Sequence, residues 1–181
     1  MGELLIPSVK QCFRLIRKME MMSHIKAHSL RVCQVAELLT DLMAKAHIRL
    51  NRDLVYAGAL LHDITKTRSL KTGEYHAATG DELLCEMGFP QVGAIIRQHV
   101  ALDEYFVSAI PDEAEIVNYA DKRVLNTDIV SLTQRMDYIL ERYGTNPEYR
   151  QRLRSIGKYA EETEERIFGL IDITPEQVGS I

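Results

Sequence analysis

His62 and Asp63 stand side by side at the end of an apolar run, Leu54 to Leu61, with a solitary His28 well upstream and Asp121 well downstream. Imidazole nitrogen and carboxylate oxygen together suit a divalent transition metal, and an adjacent His-Asp pair supplies two ligands from one backbone step. His76 and His99 lie between that pair and Asp121. Four histidines and two aspartates are too many for one catalytic ion that must keep a position open, but they suffice for two ions sharing a carboxylate. The residues therefore predict a dinuclear hydrolase. Any one of these histidines alone is more simply a satisfied core or surface residue. Metal is indicated by the set, because each member falls at a helix end or on an apolar helix edge, where a buried ionisable group needs a partner.

The elements that must position them are helices. Pro7-Ser8 opens a first pattern running to about Met22, with Val9, Cys12, Phe13, Ile16 and Met19 at helical spacing, an outer layer. Ser23 is placed to cap a second helix, along which Ile25, Val32, Val35, Ala36, Leu39, Leu42, Met43 and Ala46 form one stripe with His28 at its edge. A third helix from Asn51 or Arg52 is apolar nearly all round up to Leu61, so it should be buried and deliver His62 and Asp63 inward. Thr67 to Glu74 reads as a loop. His76 starts a helix capped by Gly88, and Pro90 starts another reaching about Val100 with His99 near its end. Ala101 to Pro111 is a connection. Asp112 restarts a helix through Tyr119, Ala120 and Val124 that carries Asp121, followed by helices over Ser131 to Tyr143 and Pro147 to Ile171.

No repeat, low-complexity tract or alternating strand pattern interrupts this series. The expected fold is an all-α, single-domain helical bundle, with a core over about 24–125 and a helical extension over about 126–174. In the last helix, Lys158 with Glu162 and Glu162 with Arg166 are spaced as opposite-charge pairs beside Glu161, Glu164 and Glu165. That is most simply a solvated face, an acidic binding surface being the alternative.

Composition excludes several classes. The 181 residues suffice for one core, and a net charge of -4 without a Lys/Arg block argues against nucleic acid or an anionic membrane as the main partner. Cys12, Cys33 and Cys85 form no close-spaced pair, so neither a disulfide framework nor a zinc knuckle is expected, and a reducing cytoplasm fits best. The start lacks a leader pattern, and Ile6 stands where a myristoylation signal wants Ser or Thr. No nucleophile elbow, Walker loop or glycine-rich phosphate cradle is present.

His28, then His62-Asp63 within Leu61-His62-Asp63-Ile64-Thr65-Lys66, then Asp121 within Tyr119-Ala120-Asp121-Lys122-Arg123, resembles the HD superfamily of metal-dependent phosphohydrolases. His76 in His76-Ala77-Ala78-Thr79-Gly80 and His99 in Ile95-Ile96-Arg97-Gln98-His99 resemble the extra ligands of its dinuclear branch. Within that branch the order and size look most like the bacterial symmetrical diadenosine tetraphosphate hydrolases. The resemblance implies one ion on His28, His62, Asp63 and Asp121, and a second on Asp63, His76 and His99, with Asp63 bridging. A set without cysteine favours Fe, Mn, Ni, Co or Zn over the metals of soft sites, and two divalent ions, Fe or Mn for preference, are expected.

A metal-bridged hydroxide would then attack phosphorus in a small phosphorylated substrate, a nucleotide for preference. Asp63 and Lys66 are the expected catalytic residues. Lys66 would stabilise the phosphate, with Arg31 and Arg123 as further candidates, although Arg31 reads more simply as a structural partner for a carboxylate. His24, one turn before His28, reads as exposed. Alternatives left open are a nucleoside 5′-monophosphatase or cyclic-nucleotide phosphodiesterase, an HD-type di-iron oxygenase, and a nucleotide-binding module without turnover. The reading also leaves room for a homodimer.

Overall fold

In a computed structural model, residues 5–180 are described. The reading of Met1-Gly2 as no acylation signal falls outside them. The architecture is all-α, as expected: α1 (Val9–Lys18), α2 (Ser23–Lys45), α3 (Arg52–Leu61), α4 (Lys66–Thr72), α5 (His76–Glu86), α6 (Pro90–Arg97), α7 (Glu113–Lys122), α8 (Leu132–Tyr143) and α9 (Pro147–Phe168). A short 3-10 helix, Pro175–Ser180, follows. Among the described residues no helix is long and apolar enough to cross a membrane.

α3 is the inner helix. Val55, Ala57, Gly58, Ala59, Leu60 and Leu61 are all buried, and α1, α2, α6 and α7 pack around it. It approaches its neighbours closely because it carries small residues: a methyl group added at Gly58 would come within 2.7 Å of Ile95 Cγ2 and 3.5 Å of Val117 Cγ2. The α2 stripe enters the same core through Ile25, Val32, Val35, Ala36, Leu39 and Met43. α7 is buried from Ala114 to Ala120. α5 pairs with α6, and α8 with α9.

Several boundaries follow local chemistry. Asn51 caps α3 by accepting from the Leu54 amide, 3.1 Å. Asp112 and Glu115 form a reciprocal capping box on α7. Gly88, with φ +84°, ends α5 as expected, and the Phe89 amide closes back on the Leu84 carbonyl, 2.8 Å.

Other expectations are corrected. Ser23 is the first residue of α2 rather than its cap, a place taken by Met22 without a side-chain bond. The supposed loop Thr67 to Glu74 is mostly helix α4, anchored where the Met22 amide donates to Thr67 Oγ1, 3.0 Å. α6 ends at Arg97, so His99 lies in the turn beyond it. α7 ends at Lys122, and Val124 belongs to a small antiparallel hairpin, β1 (Val124–Leu125) with β2 (Asp128–Ile129), paired Val124 to Ile129. On α9 the Lys158–Glu162 pair forms at 3.7 Å, but Arg166 bonds Glu115 instead of Glu162. Glu164 is likewise structural, accepting from the Tyr119 hydroxyl, 2.5 Å.

Candidate metal centre

The C-terminal end of α3 brings His62 and Asp63 into the interior, both almost fully buried. Three other regions converge on them: α2 with His28, the α5 start and α6 end with His76 and His99, and the α7 end with Asp121. Asp63 sits between two groups of nitrogens. Its Oδ2 lies 3.4 Å from His62 Nε2, whereas its Oδ1 lies 3.2 Å from His76 Nε2 and 3.6 Å from His99 Nε2. On the His62 side, Asp121 Oδ1 lies 2.9 Å from His28 Nε2 and 3.6 Å from His62 Nε2. Two overlapping sets could hold a cation, His28 with His62 and Asp63, and Asp63 with His76 and His99.

Backbone carbonyls orient three of the rings. The Nδ1 atom of His28 faces the Asn126 carbonyl at 3.0 Å, that of His62 the Ala59 carbonyl at 2.8 Å, and that of His99 the Ile96 carbonyl at 2.5 Å. A carbonyl only accepts, so each Nδ1 carries the proton and each Nε2 is turned to the cluster, just as a hydrogen bond on one ring nitrogen orients a metal-binding histidine to use the other. The hairpin takes part here, since Asn126 lies at its tip in the left-handed region, φ +57°.

The donor set fits a cation on a specific observation: His62 Nε2 and Asp63 Oδ1 are buried and make no hydrogen bond among the described residues, a costly arrangement for polar atoms unless a cation satisfies them. The electrostatics agree. Burial pushes the Asp63 carboxyl up, but His62, His76 and His99 outweigh it and hold it well below the ordinary carboxylate range. Asp121 is lowered in the same way, against burial, by His28, Arg135 and His62. Burial lowers His62 too, yet Asp63 and Asp121 overcome this and raise it, a proton standing in for positive charge between the two carboxylates. Burial dominates at His99, which is lowered to about 4 and so is neutral near pH 7.

Of the expected phosphate-binding residues, Lys66 reaches the centre. Its Nζ donates to Asp63 Oδ2 at 2.8 Å, and although burial opposes its charge, Asp63 and Asp121 raise its pKa. Arg123 does not. Its Nε donates to the Val130 carbonyl at 2.7 Å, Nη1 to the Tyr119 hydroxyl at 2.5 Å and Nη2 to the Pro175 carbonyl at 2.9 Å, a buried structural knot. Arg31 Nε donates to the Thr127 carbonyl, 3.0 Å, holding the hairpin rather than a carboxylate or the cluster.

One residue was absent from the expected set. Arg135 of α8 brings Nη2 to 3.9 Å from Asp121 Oδ1 with its side chain 13% exposed, and its Nε is buried without a hydrogen bond among the described residues. An unspent donor on a guanidinium beside a carboxylate-histidine cluster is suited to an anionic oxygen. Nothing in the spacing of Arg135 from Asp121 signals this. It depends on α8 packing across α7.

Residues 25–124, more than half of the chain, match the model of the HD domain family. A solved structure described as a predicted HD superfamily hydrolase, from an uncultured Thermotogales bacterium, is similar over 91% of this chain and 93% of that one, with a TM-score of 0.50. At 20% identity that likeness is one of fold. No curated protein matches the chain. The match contains His28, His62-Asp63 and Asp121 in the order described, and the chain belongs to the HD domain family.

Proposed function

We propose that the protein is a metal-dependent phosphohydrolase acting on a small phosphorylated substrate, with two divalent cations, Fe or Mn first among them. The observation that carries this reading is Asp63, whose two oxygens face different histidine groups while His62 Nε2 beside it is buried and unpaired. His28, His62, Asp63 and Asp121 would hold one ion; Asp63, His76 and His99 would hold the other. Bound there, the cations supply a Lewis acid toward phosphate oxygens and lower the pKa of water toward neutrality.

The chain's own contribution is electrostatic and positional. Lys66 and Arg135 flank the carboxylates, next to Asp63 and Asp121 respectively, where they can bind non-bridging phosphate oxygens and neutralise charge as it accumulates. Carbonyls of Ala59, Ile96 and Asn126 keep the rings oriented, so little reorganisation accompanies the reaction. His62, Asp63 and His99 are buried, which limits competition from water at these atoms.

For the substrate we propose symmetrical cleavage of diadenosine tetraphosphate, which rests on the resemblance of His76 and His99 to the second ligand pair of that branch. The test is product analysis after loading with Fe(II) or Mn(II). ADP as the sole nucleotide product would establish symmetrical cleavage. Turnover only of mononucleotides would keep the phosphohydrolase and discard the dinucleotide, whereas loss of no activity in Asp63→Ala would sink the metal assignment itself.

A further inference from the structure

Beside the second histidine pair lies a cleft of about 230 Å³ that the reaction so far described does not use, lined by Tyr75, Val100, Tyr149, Arg152, Leu153 and Ile156. Its position is set by the chain: Tyr75 immediately precedes His76, and Val100 immediately follows His99. The cleft therefore borders the backbone that carries His76 and His99, and the Tyr75 and His76 rings have their centres 6.0 Å apart. Leu153 and Ile156 make an apolar floor, buried with Met136 in a small cluster of their own. Tyr75 and Tyr149 stand over that floor 51% and 46% exposed, two large rings left half bare in one place. Arg152 is exposed, and among the described residues it has no ion-pair partner.

We propose that this cleft is a subsite for the planar aromatic ring of the substrate, a nucleobase, held by stacking on Tyr75 and Tyr149 with the Arg152 guanidinium at the rim. The proposal rests on the phosphohydrolase reading for the identity of the whole substrate. Its volume lies below the roughly 300–1,000 Å³ of a pocket that swallows a complete small ligand, so it fits one ring whose remaining atoms extend elsewhere. Every base has a π-face, and aromatic side chains hold it with little demand on its identity. A guanidinium adds attraction over a ring face and donors for an exocyclic carbonyl or a phosphate oxygen. A nucleotide joins both required pieces: a phosphate for the side bearing Lys66 and Arg135, and a base for the tyrosine side.

The experiment compares adenosine, AMP and ribose 5-phosphate binding to the metal-loaded protein, followed by tyrosine fluorescence, which no tryptophan obscures. Adenosine is expected to bind, and AMP to bind about tenfold or more tightly than ribose 5-phosphate. Tyr149→Ala should abolish that preference and weaken adenosine by a similar factor, leaving metal content and ribose 5-phosphate affinity intact, and Tyr149→Phe should restore it. Equal affinity for AMP and ribose 5-phosphate in the native protein, or an unaltered preference in Tyr149→Ala, overturns the subsite. Adenosine binding that depends on Tyr149 in a protein unable to release phosphate from any nucleotide would instead overturn the reaction and keep the subsite.

Discussion

The Nε2 atoms of His76 and His99 stand 3.1 Å apart, drawn around the same oxygen, Asp63 Oδ1. The His99 nitrogen presents a lone pair, because its Nδ1 faces the Ile96 carbonyl. Such an approach is stable when a proton or a cation lies between the rings. The loaded native protein should hold two ions per chain, and His76→Ala one. Elemental analysis after gel filtration decides it, and two ions in the variant would remove His76 from the ligand set.

Arg135 should matter to substrate and not to metal. A charge-assisted hydrogen bond of about 1.5–3 kcal/mol corresponds to a loss in kcat/KM of roughly ten- to 150-fold in Arg135→Ala. Arg135→Lys should recover part of it, since a point charge lacks the planar fork. An unchanged kcat/KM in Arg135→Ala would leave this arginine a structural partner of Asp121.

Gly58 should tolerate no larger residue. The added methyl of Gly58→Ala meets Ile95 at 2.7 Å in the middle of the core, and overpacking of this kind costs about 1–3 kcal/mol. A lower midpoint in chemical denaturation, with an unchanged slope, is the expected result. Any gain in stability would mean that α3 and α6 separate easily.

The thiols should report burial and alkaline sensitivity together. Burial pushes Cys12 up to about 11 and Cys33 up to about 12, whereas Cys85 is exposed. One thiol should therefore be accessible in the native protein, its reaction slowed because Cys85 Sγ donates to Asp81 Oδ1 and its pKa is raised by that carboxylate, and three after unfolding. The folded values of Cys12 and Cys33 lie above the ordinary 9.0, so their contribution to stability is complete below about pH 9 and is lost as pH climbs from there toward 11–12. The melting temperature should fall across that window, with thiol titration tracking the fall.

Much of this fold is legible in the residues. The stripe on α2 and the all-round apolar α3 are strong periodic signals, and an adjacent His-Asp pair at a buried helix end can be recognised without coordinates. α4 is not legible, being seven residues long and fastened by Thr67 to a distant amide. Neither is the hairpin, whose two-residue strands are too short to alternate. Arg123 was misplaced through nearness in sequence to Asp121: side chains two apart at a helix end point to different sides, and Arg123 turns to Tyr119 and the chain's last segment. Arg135 was missed for the opposite reason, lying far along the chain and near in space.

All six residues proposed to hold metal fall between positions 28 and 121, inside the stretch shared with the HD family. Arg135, Tyr149 and Arg152 all lie after it. The proposed ion ligands thus sit wholly inside the shared stretch, whereas the residues proposed to meet the substrate come from both parts, Lys66 and Tyr75 from within it and Arg135, Tyr149 and Arg152 from beyond it. Exchanging the last third for that of another family member would keep the six proposed ion ligands and alter one side of the proposed substrate contact, so two chains with the same six ligands need not share a substrate.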